Sequence, residues 1–561
     1  MNGLAMAAPR AIAWSISVPL GHLVVYALPL IFVVYSWLAG AGFPYYLDSN
    51  ETFLSYVHAR NLELWDPNEY GWLTAHTTDP LEPTVQGVYV HNPNAPRYLH
   101  YLLLRAGVRE LAPQVLILSL VGATLTSVLL ARVFSGPALL VVPLAVVLDF
   151  TGYLAWTVNT YRVWTFVLYF GLVLAVQRRR PLWVAIVTFV LFQVEYGMAL
   201  FMGVMTTVLA VLMHGRRARS LILSSAVGAA VSLGVFGIQV LTFYGWEGFI
   251  QELATTYARR GTAGAPMGPG IFAYQAWHGL ARLAGDVAYA TYNRAVFVVV
   301  VAGVMISLRT LLRGDETGRR LFLARLTIAT LAGAVATSTV LYGYFVDGFV
   351  DSKLPLAAFL IAPSVGVVAL ELDYLLSFRW HSPHRTPLCM AVVLLPLVIG
   401  SATQFHPPIA VDVFRLLQTE SRGRTIVSPH LGEAMAGPRL AFALTGGRAV
   451  PSEGFDVPPH QLERLEPLRD ADGTLTYVCV NTLYIRELAL RGSAPRGLPS
   501  VCDVAVARMA SRGHTVVASG VGWAVMRLNR CACYSRVAVC VNGPMGASER
   551  AAITECSQAD D

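Results

Sequence analysis

Lysine is nearly missing. Lys353 is the only one in 561 residues, and arginine supplies almost all of the positive charge. Charged residues of both signs make up only 13% of the chain, against about a quarter in an ordinary soluble domain. That shortage, beside 55% apolar residues, excludes a soluble globular enzyme. The formal charge of +7 does not make a nucleic-acid binder, because the arginines cluster at the ends of apolar runs and form no continuous basic face. There is no internal repeat, which takes away the matched, broken halves of many transporters. No cleavable signal peptide is evident, since the apolar run from Ile12 to Leu38 is long enough to remain as a span. Cysteine is scarce where the chain is apolar. Cys389 lies there, whereas Cys479, Cys502, Cys531, Cys533, Cys540 and Cys556 all lie in the last part. Six cysteines in a small region predict disulfides in an oxidising compartment, with 15 pairings open. Without paired C-x-x-C spacing, zinc is the weaker reading.

What is present is a series of apolar stretches near the 20 or so residues that cross a bilayer. They predict a polytopic, all-α membrane protein of about eleven spans over 1–403, followed by an α/β domain over 404–561. With the N-terminus cytoplasmic, the spans fall near 18–40, 113–133, 137–155 and 160–177. Arg178, Arg179 and Arg180 follow on the inside. The stretch 181–213 begins and ends at arginines, so it is expected to be a hairpin of two short helices turning outside near Gln193, Glu195 and Gly197. Further spans fall near 219–243, 292–312, 321–342, 355–376 and 387–403, with outer loops expected over 43–112 and 244–291. An odd number of spans puts the tail outside, in agreement with its cysteines. The expected location is the plasma (inner) membrane, with the tail periplasmic or extracellular. In the tail, Thr425–Ser428, Tyr477–Val480 and Thr515–Ala518 read as short buried strands, and Leu483–Leu490 and Val504–Met509 as helices.

Three passages carry polar residues where chemistry could be done. The outer segment opens with Asp48-Ser49-Asn50-Glu51 ahead of a helical pattern through Phe53, Tyr56 and Arg60. Asp48 and Glu51 are spaced as a capping box, which leaves one carboxylate oxygen for other work. The second passage runs from His91-Asn92-Pro93 to Pro96-Arg97-Tyr98 and an aromatic helix reaching His100 and Tyr101. It is an interfacial anchor on the plainer reading, and its histidine pair is not favoured as a metal site. The third is Asp351-Ser352-Lys353-Leu354-Pro355, with Phe359 and Pro363 beyond. A cation at the outer end of a span holds a lipid phosphate or simply snorkels. Asp149 inside a span is a functional candidate by the cost of burying it, with Arg162 as its candidate partner. Glu195, at the hairpin tip, reads equally as a solvated side chain.

The order of these passages resembles the GT-C glycosyltransferases, in particular the protein O-mannosyltransferase and lipid A aminoarabinose transferase group. The resemblance covers roughly residues 20–400. The family's Asp-Glu pair is stretched here to Asp48…Glu51, and its second-block lysine is missing. Its third block keeps Lys353, Pro355 and Pro363, with Phe359 in the aromatic slot. The resemblance implies a GT-C-like helical bundle and a polyprenyl-phosphate sugar donor. It implies a glycan, lipid or protein acceptor and inverting displacement by an acceptor hydroxyl. Asp48 would be the base and Glu51 its partner. Lys353 would hold phosphate, with Arg259 or Arg260, while His91, Arg97, Asp149, Arg162 and Glu195 fill out the substrate site. No cofactor is required by this reading, although a divalent cation is compatible with it. The Trp-Trp-Asp signature of oligosaccharyltransferase tails is absent. A multispan transporter and a scaffold presenting the tail are the competing readings.

Overall fold

The computed structural model describes residues 20–38, 50–64, 67–68, 72–75, 88–89, 95–135, 139–148, 162–260, 270–290, 294–314, 318–342, 350–377, 384–404, 424–429, 449–452, 457–469, 473–481, 500–520, 522–534 and 537–540. The apolar runs become helices: α1 (Leu20–Leu38), α4 (Leu111–Val133), α5 (Val141–Leu148), α6 (Arg162–Gln177), α7 (Pro181–Val194), α8 (Tyr196–His214), α9 (Arg219–Arg260), α10 (Ile271–Ala290), α11 (Arg294–Arg313), α12 (Arg319–Val340), α13 (Val350–Ser377) and α14 (Arg385–Gln404). The segment between α1 and α4 holds α2 (Asn50–Leu64), the short antiparallel pair β1 (Thr74–Ala75) and β2 (Val88–Tyr89), and α3 (Ala95–Arg105). Among the described residues, five helices are long and apolar enough to cross a membrane, and four shorter apolar ones accompany them. Only the 139–148 part of the expected 137–155 span falls among the described residues, with its helix over 141–148.

The hairpin expected over 181–213 forms, and its turn is a single residue. The Glu195 N–H donates to the Leu191 carbonyl at 3.0 Å and closes α7, while its own carbonyl accepts from Ala199 N–H at 2.9 Å and opens α8. Its extended backbone reverses the chain between these two ladders. At the other end, Arg179 in a left-handed conformation turns α6 into α7, where Pro181 sits at the first helical position. His214 Nε2 donates to the Val176 carbonyl at 2.8 Å, so the free ends of both hairpin helices meet at the arginine corner. Arg309, Arg320 and Arg385 gather at the same end of the bundle. Glu371 of α13 pairs with Arg320 and Arg309, and Asp373 pairs with Arg385 at 3.0 Å.

One expected feature is corrected. The loop expected over 244–291 is largely helical: α9 continues past a break at Gly245 to Arg260, and α10 packs on α12 and α13. Apolar residues recurring three and four apart make one-sided helices, which a search for spans alone passes over. Glycines set the closest packing. A methyl on Gly279 would meet the Ser338 carbonyl of α12 at 2.7 Å, and one on Gly303 the Ser364 carbonyl of α13 at the same distance.

The tail has its own core. Strands β3 (Ile426–Pro429), β4 (Ala449–Ser452), β5 (Thr476–Val480), β6 (Thr515–Gly520) and β7 (Trp523–Arg527) form a sheet of order β4-β3-β5-β7-β6, parallel across β4, β3 and β5 and antiparallel beyond. Helices α15 (Pro459–Leu465) and α16 (Val501–Ser511) cover the face bearing Val427, Tyr477, Cys479 and Met526. Ser500 and Asp503 cap α16 reciprocally. Cys479 of β5 is bonded to Cys502 of α16, and Cys531 and Cys533 are also disulfide-bonded. The last two lie on β8 (Cys531–Tyr534), which pairs with β9 (Val537–Cys540). The strand over Thr515–Ala518 exists, but it is an exposed, bulged edge strand and not a buried one. Its valines reflect strand propensity without burial. The helix expected over 483–490 lies outside the described residues.

Candidate functional site

Three helices meet at an aromatic stack. Tyr169 of α6 lies over Phe359 of α13 at 4.3 Å and 15°, and Phe201 of α8 lies beside Phe359 at 5.8 Å and 14°. All three rings are fully buried. Tyr169 also shares a 2.9 Å hydrogen bond with Thr330 of α12. On each helix a charged candidate stands six or seven residues from its ring, toward the end away from the arginines: Arg162 from Tyr169, Glu195 from Phe201, and Lys353 from Phe359. At about 1.5 Å per residue that is about 9–10 Å in every case. The backbones of Arg162, Glu195 and Lys353 therefore stand at one level of the bundle.

The segment between α1 and α4 folds onto this same end. Leu73 is buried against Phe236 and Val240 of α9, in a cluster shared with Tyr196 and Phe243. Trp72, held in a left-handed conformation, accepts the Tyr98 hydroxyl on its carbonyl, and the two rings meet edge-on at 6.4 Å. Gln239 Nε2 donates to the same Tyr98 hydroxyl at 3.4 Å. Gln193 Nε2 reaches Ser232 Oγ at 2.8 Å, fastening the hairpin tip to α9. Arg97, next to Tyr98, and Glu195, next to Tyr196, are each only 3% exposed. Both are engaged by neighbours. Glu195 is thus a buried carboxylate and not the solvated tip that its neighbours in sequence allowed.

Helix α3 is seated on α4 through its buried face. His100 is fully buried, its Nδ1–H donating to Gln114 Oε1 of α4 at 2.7 Å, while Gln114 Nε2 donates to the Val108 carbonyl at 2.6 Å. Burial holds the imidazole pKa down to about 4, with the Gln114 bond opposing in part. One face of α3 is packed, with Pro96, Arg97, His100 and Leu104 buried, while Leu102 on the other is exposed; His100 is a hydrogen-bond donor to α4. Helix α2 is buried continuously from Leu54 to Ala59 despite Ser55 and His58 within it, and Asn61 is buried too. Tyr56 donates to the Arg109 carbonyl at 2.7 Å, and burial raises its pKa. A polar helix buried on every side was not signalled by its sequence pattern.

Glu51 lies in the first turn of α2, Lys353 in the first turn of α13, Arg162 at the start of α6, and Arg259 and Arg260 at the end of α9. For these the backbone alone is placed. Asp48, His91 and Asp149 lie outside the described residues. The structure thus brings Arg97, Arg162, Glu195 and Lys353 to one end of the bundle. The aromatic stack that levels them escaped sequence reading, because its rings come from three distant helices.

No family model matches the chain, and no curated protein matches it. Among the solved structures similar to it are two. One is the archaeal oligosaccharyltransferase AglB from Archaeoglobus fulgidus in complex with an inhibitory peptide and a dolichol-phosphate. It is 11% identical with a TM-score of 0.46, and the match covers 90% of this chain and 74% of that one. The other is the Archaeoglobus fulgidus oligosaccharyltransferase in its apo form, 12% identical with a TM-score of 0.44, covering 89% and 73%. With both TM-scores under 0.5, neither likeness carries function across, and what this chain does is to be argued from its own residues.

Proposed function

We propose that the chain is a membrane glycosyltransferase of the GT-C type, moving a sugar from a polyprenyl-phosphate donor to an acceptor hydroxyl outside the membrane. The observation that carries this reading is the common level of Arg162, Glu195 and Lys353 above the Tyr169–Phe201–Phe359 stack, with the outer segment bearing Arg97 folded onto the same end. A donor of this class presents a phosphate at the membrane surface with the sugar beyond it. Cations at that depth stabilise the charge that develops on the phosphate as the glycosidic bond breaks. The acceptor oxygen attacks the anomeric carbon from the opposite side and loses its proton to a carboxylate. Asp48 is the base in this scheme and Glu51 its partner. Lys353 holds the phosphate, with Arg162 nearby at the same level and Arg259 or Arg260 as further cations. Glu195 orients basic side chains, and Arg97, His91 and Asp149 complete the substrate site. The disulfide between Cys479 and Cys502 supports an oxidising location for the tail, hence the periplasm or cell exterior, with the N-terminus in the cytoplasm.

A transporter would use the same buried charges, but its design often rests on matched repeats, which this sequence does not show, and it has no need of a disulfide-bonded tail. The test is a screen of membranes carrying the full chain against polyprenyl-phosphate sugars, with Lys353→Met beside the parent. The reading expects transfer from at least one donor and a donor KM raised about tenfold or more in the variant, as for loss of a charge-assisted contact. An unchanged donor KM in Lys353→Met removes the lysine from the phosphate site. Absence of transfer from every such donor removes the reading.

A further inference from the structure

Helix α9 changes character at Gly245. The stretch from Arg219 to Tyr244 rises about 39 Å, which already exceeds the roughly 30 Å of hydrocarbon in a bilayer. Its outward surface is apolar, with Leu223, Val227, Val231 and Ile238 exposed, as suits a helix facing lipid. Gly245 then adopts φ +69°, a conformation that L side chains rarely hold. It redirects the helix at the end of the bundle away from the arginines.

Beyond the break the pattern is amphipathic. Trp246, Ile250, Leu253 and Tyr257 recur at spacings of four, three and four and form one stripe. They are 67%, 43%, 56% and 44% exposed, a large apolar area for one short helix. A second side, with Phe249 in the cluster around Leu73 and Phe236, faces the protein. Glu247, Gln251 and Thr255, at i, i+4 and i+8, are exposed on the side away from the stripe. Helix α10 repeats the arrangement: Gly279 packs against Ser338 at the same end of α12, while Tyr274 and Trp277 point out of the protein.

We propose that residues 246–260 lie flat in the headgroup layer of the leaflet at this end of the bundle, with Trp246, Ile250, Leu253 and Tyr257 seated at the acyl boundary. The occupant of the stripe is a lipid surface. Three observations favour it over a protein partner. The stripe follows directly in sequence on a span whose exposed side chains are apolar. Its two ends are Trp and Tyr, the side chains that settle at headgroup depth. The side opposite is polar, as water above a membrane requires. This proposal rests on α9 crossing the membrane and not on the transferase reading, so either can fail without the other.

The test uses the full chain in phosphatidylcholine–phosphatidylglycerol vesicles, with Leu253→Cys and Gln251→Cys each labelled by an NBD fluorophore and the parent chain supplying the labelling background. At 253 the proposal expects blue-shifted emission, at least twofold stronger quenching by a nitroxide at acyl carbon 5 than at carbon 12, and protection from aqueous iodide. At 251 it expects quenching by iodide and by neither lipid nitroxide. Iodide quenching at 253 equal to that at 251 would place the stripe in water and overturn the proposal. Strongest quenching from carbon 12 would do the same by making the segment a span, as would shielding from both iodide and lipid, which means a protein covers it. If Leu253→Cys does not fold, Trp246→Cys reports on the same stripe with the same outcomes.

Discussion

Tyr169 and Phe359 stack at 4.3 Å with their planes 15° apart, and this contact fixes the helix of Arg162 against the helix of Lys353. Phe201 joins the same stack from the helix headed by Glu195. Removing the shared ring by Phe359→Ala leaves a buried cavity, with an expected cost of about 3–5 kcal/mol. The melting temperature in detergent checks this. Phe359→Leu, which fills most of the volume but cannot stack, is expected to fold while losing transfer activity more than stability. Equal loss of both would reduce the stack to ordinary core.

Glycine contacts make a sharper pair. A methyl on Gly333 of α12 would stand 2.5 Å from the Phe201 carbonyl and 2.9 Å from its ring, whereas one on Gly203 of α8 would meet nothing within 4 Å. Gly333→Ala must push α12 off α8 just below Glu195, at about 1–3 kcal/mol. Gly203→Ala is expected to be neutral or slightly stabilising, because alanine is the better helix former. Thermal unfolding of the two variants side by side separates these outcomes.

Acid sensitivity follows from two buried histidines outside the spans. Burial holds His100 down to about 4. Burial, with the Arg512 and Arg469 charges, does the same to His514, which accepts the Asn529 N–H on Nδ1 at 3.1 Å. Both folded values lie below the unfolded value near 6.5, so the unfolded chain binds more protons between about pH 4 and 6.5. Stability is full above that window and falls as pH drops through it, by on the order of 3 kcal/mol per histidine once protonation is complete. Melting curves of the parent and of His514→Gln at pH 7 and pH 5 are expected to show a smaller drop in the variant. An identical drop would contradict the assignment.

The Cys479–Cys502 bond closes a loop with a sequence separation of 23 and joins two elements of the tail core. A loop of that length is worth about 3 kcal/mol by chain entropy. The double variant Cys479→Ala, Cys502→Ala is expected to lower the denaturant midpoint of the tail's transition. The parent under reductant is expected to move toward the variant.

The apolar helices are legible because hydropathy and arginine clusters act locally, and the hairpin over 181–213 follows from arginines at both ends. Glu195 reads from sequence as a turn residue, but its burial depends on tertiary packing, which no local pattern records. The helices after Gly245 and over 271–290 were missed because their apolar residues form stripes, and stripes average to a weak signal over a window sized for a span. Lys353 and Arg97 were picked out by sequence order, and their shared end of the bundle emerged only from helix packing. The strand over 515–520 was recognised by its valines and misplaced in depth, since strand propensity does not distinguish an edge from a centre.

The most direct measurement is the rate of sugar transfer by membranes carrying the parent, Asp48→Asn and Glu51→Gln chains at equal expression, with donor binding measured in parallel. The account predicts a fall of about 100-fold or more in turnover for Asp48→Asn, as for loss of a general base. Donor binding should be retained, and the fall for Glu51→Gln should be smaller. Turnover at the parental rate in both variants and in their combination would contradict it.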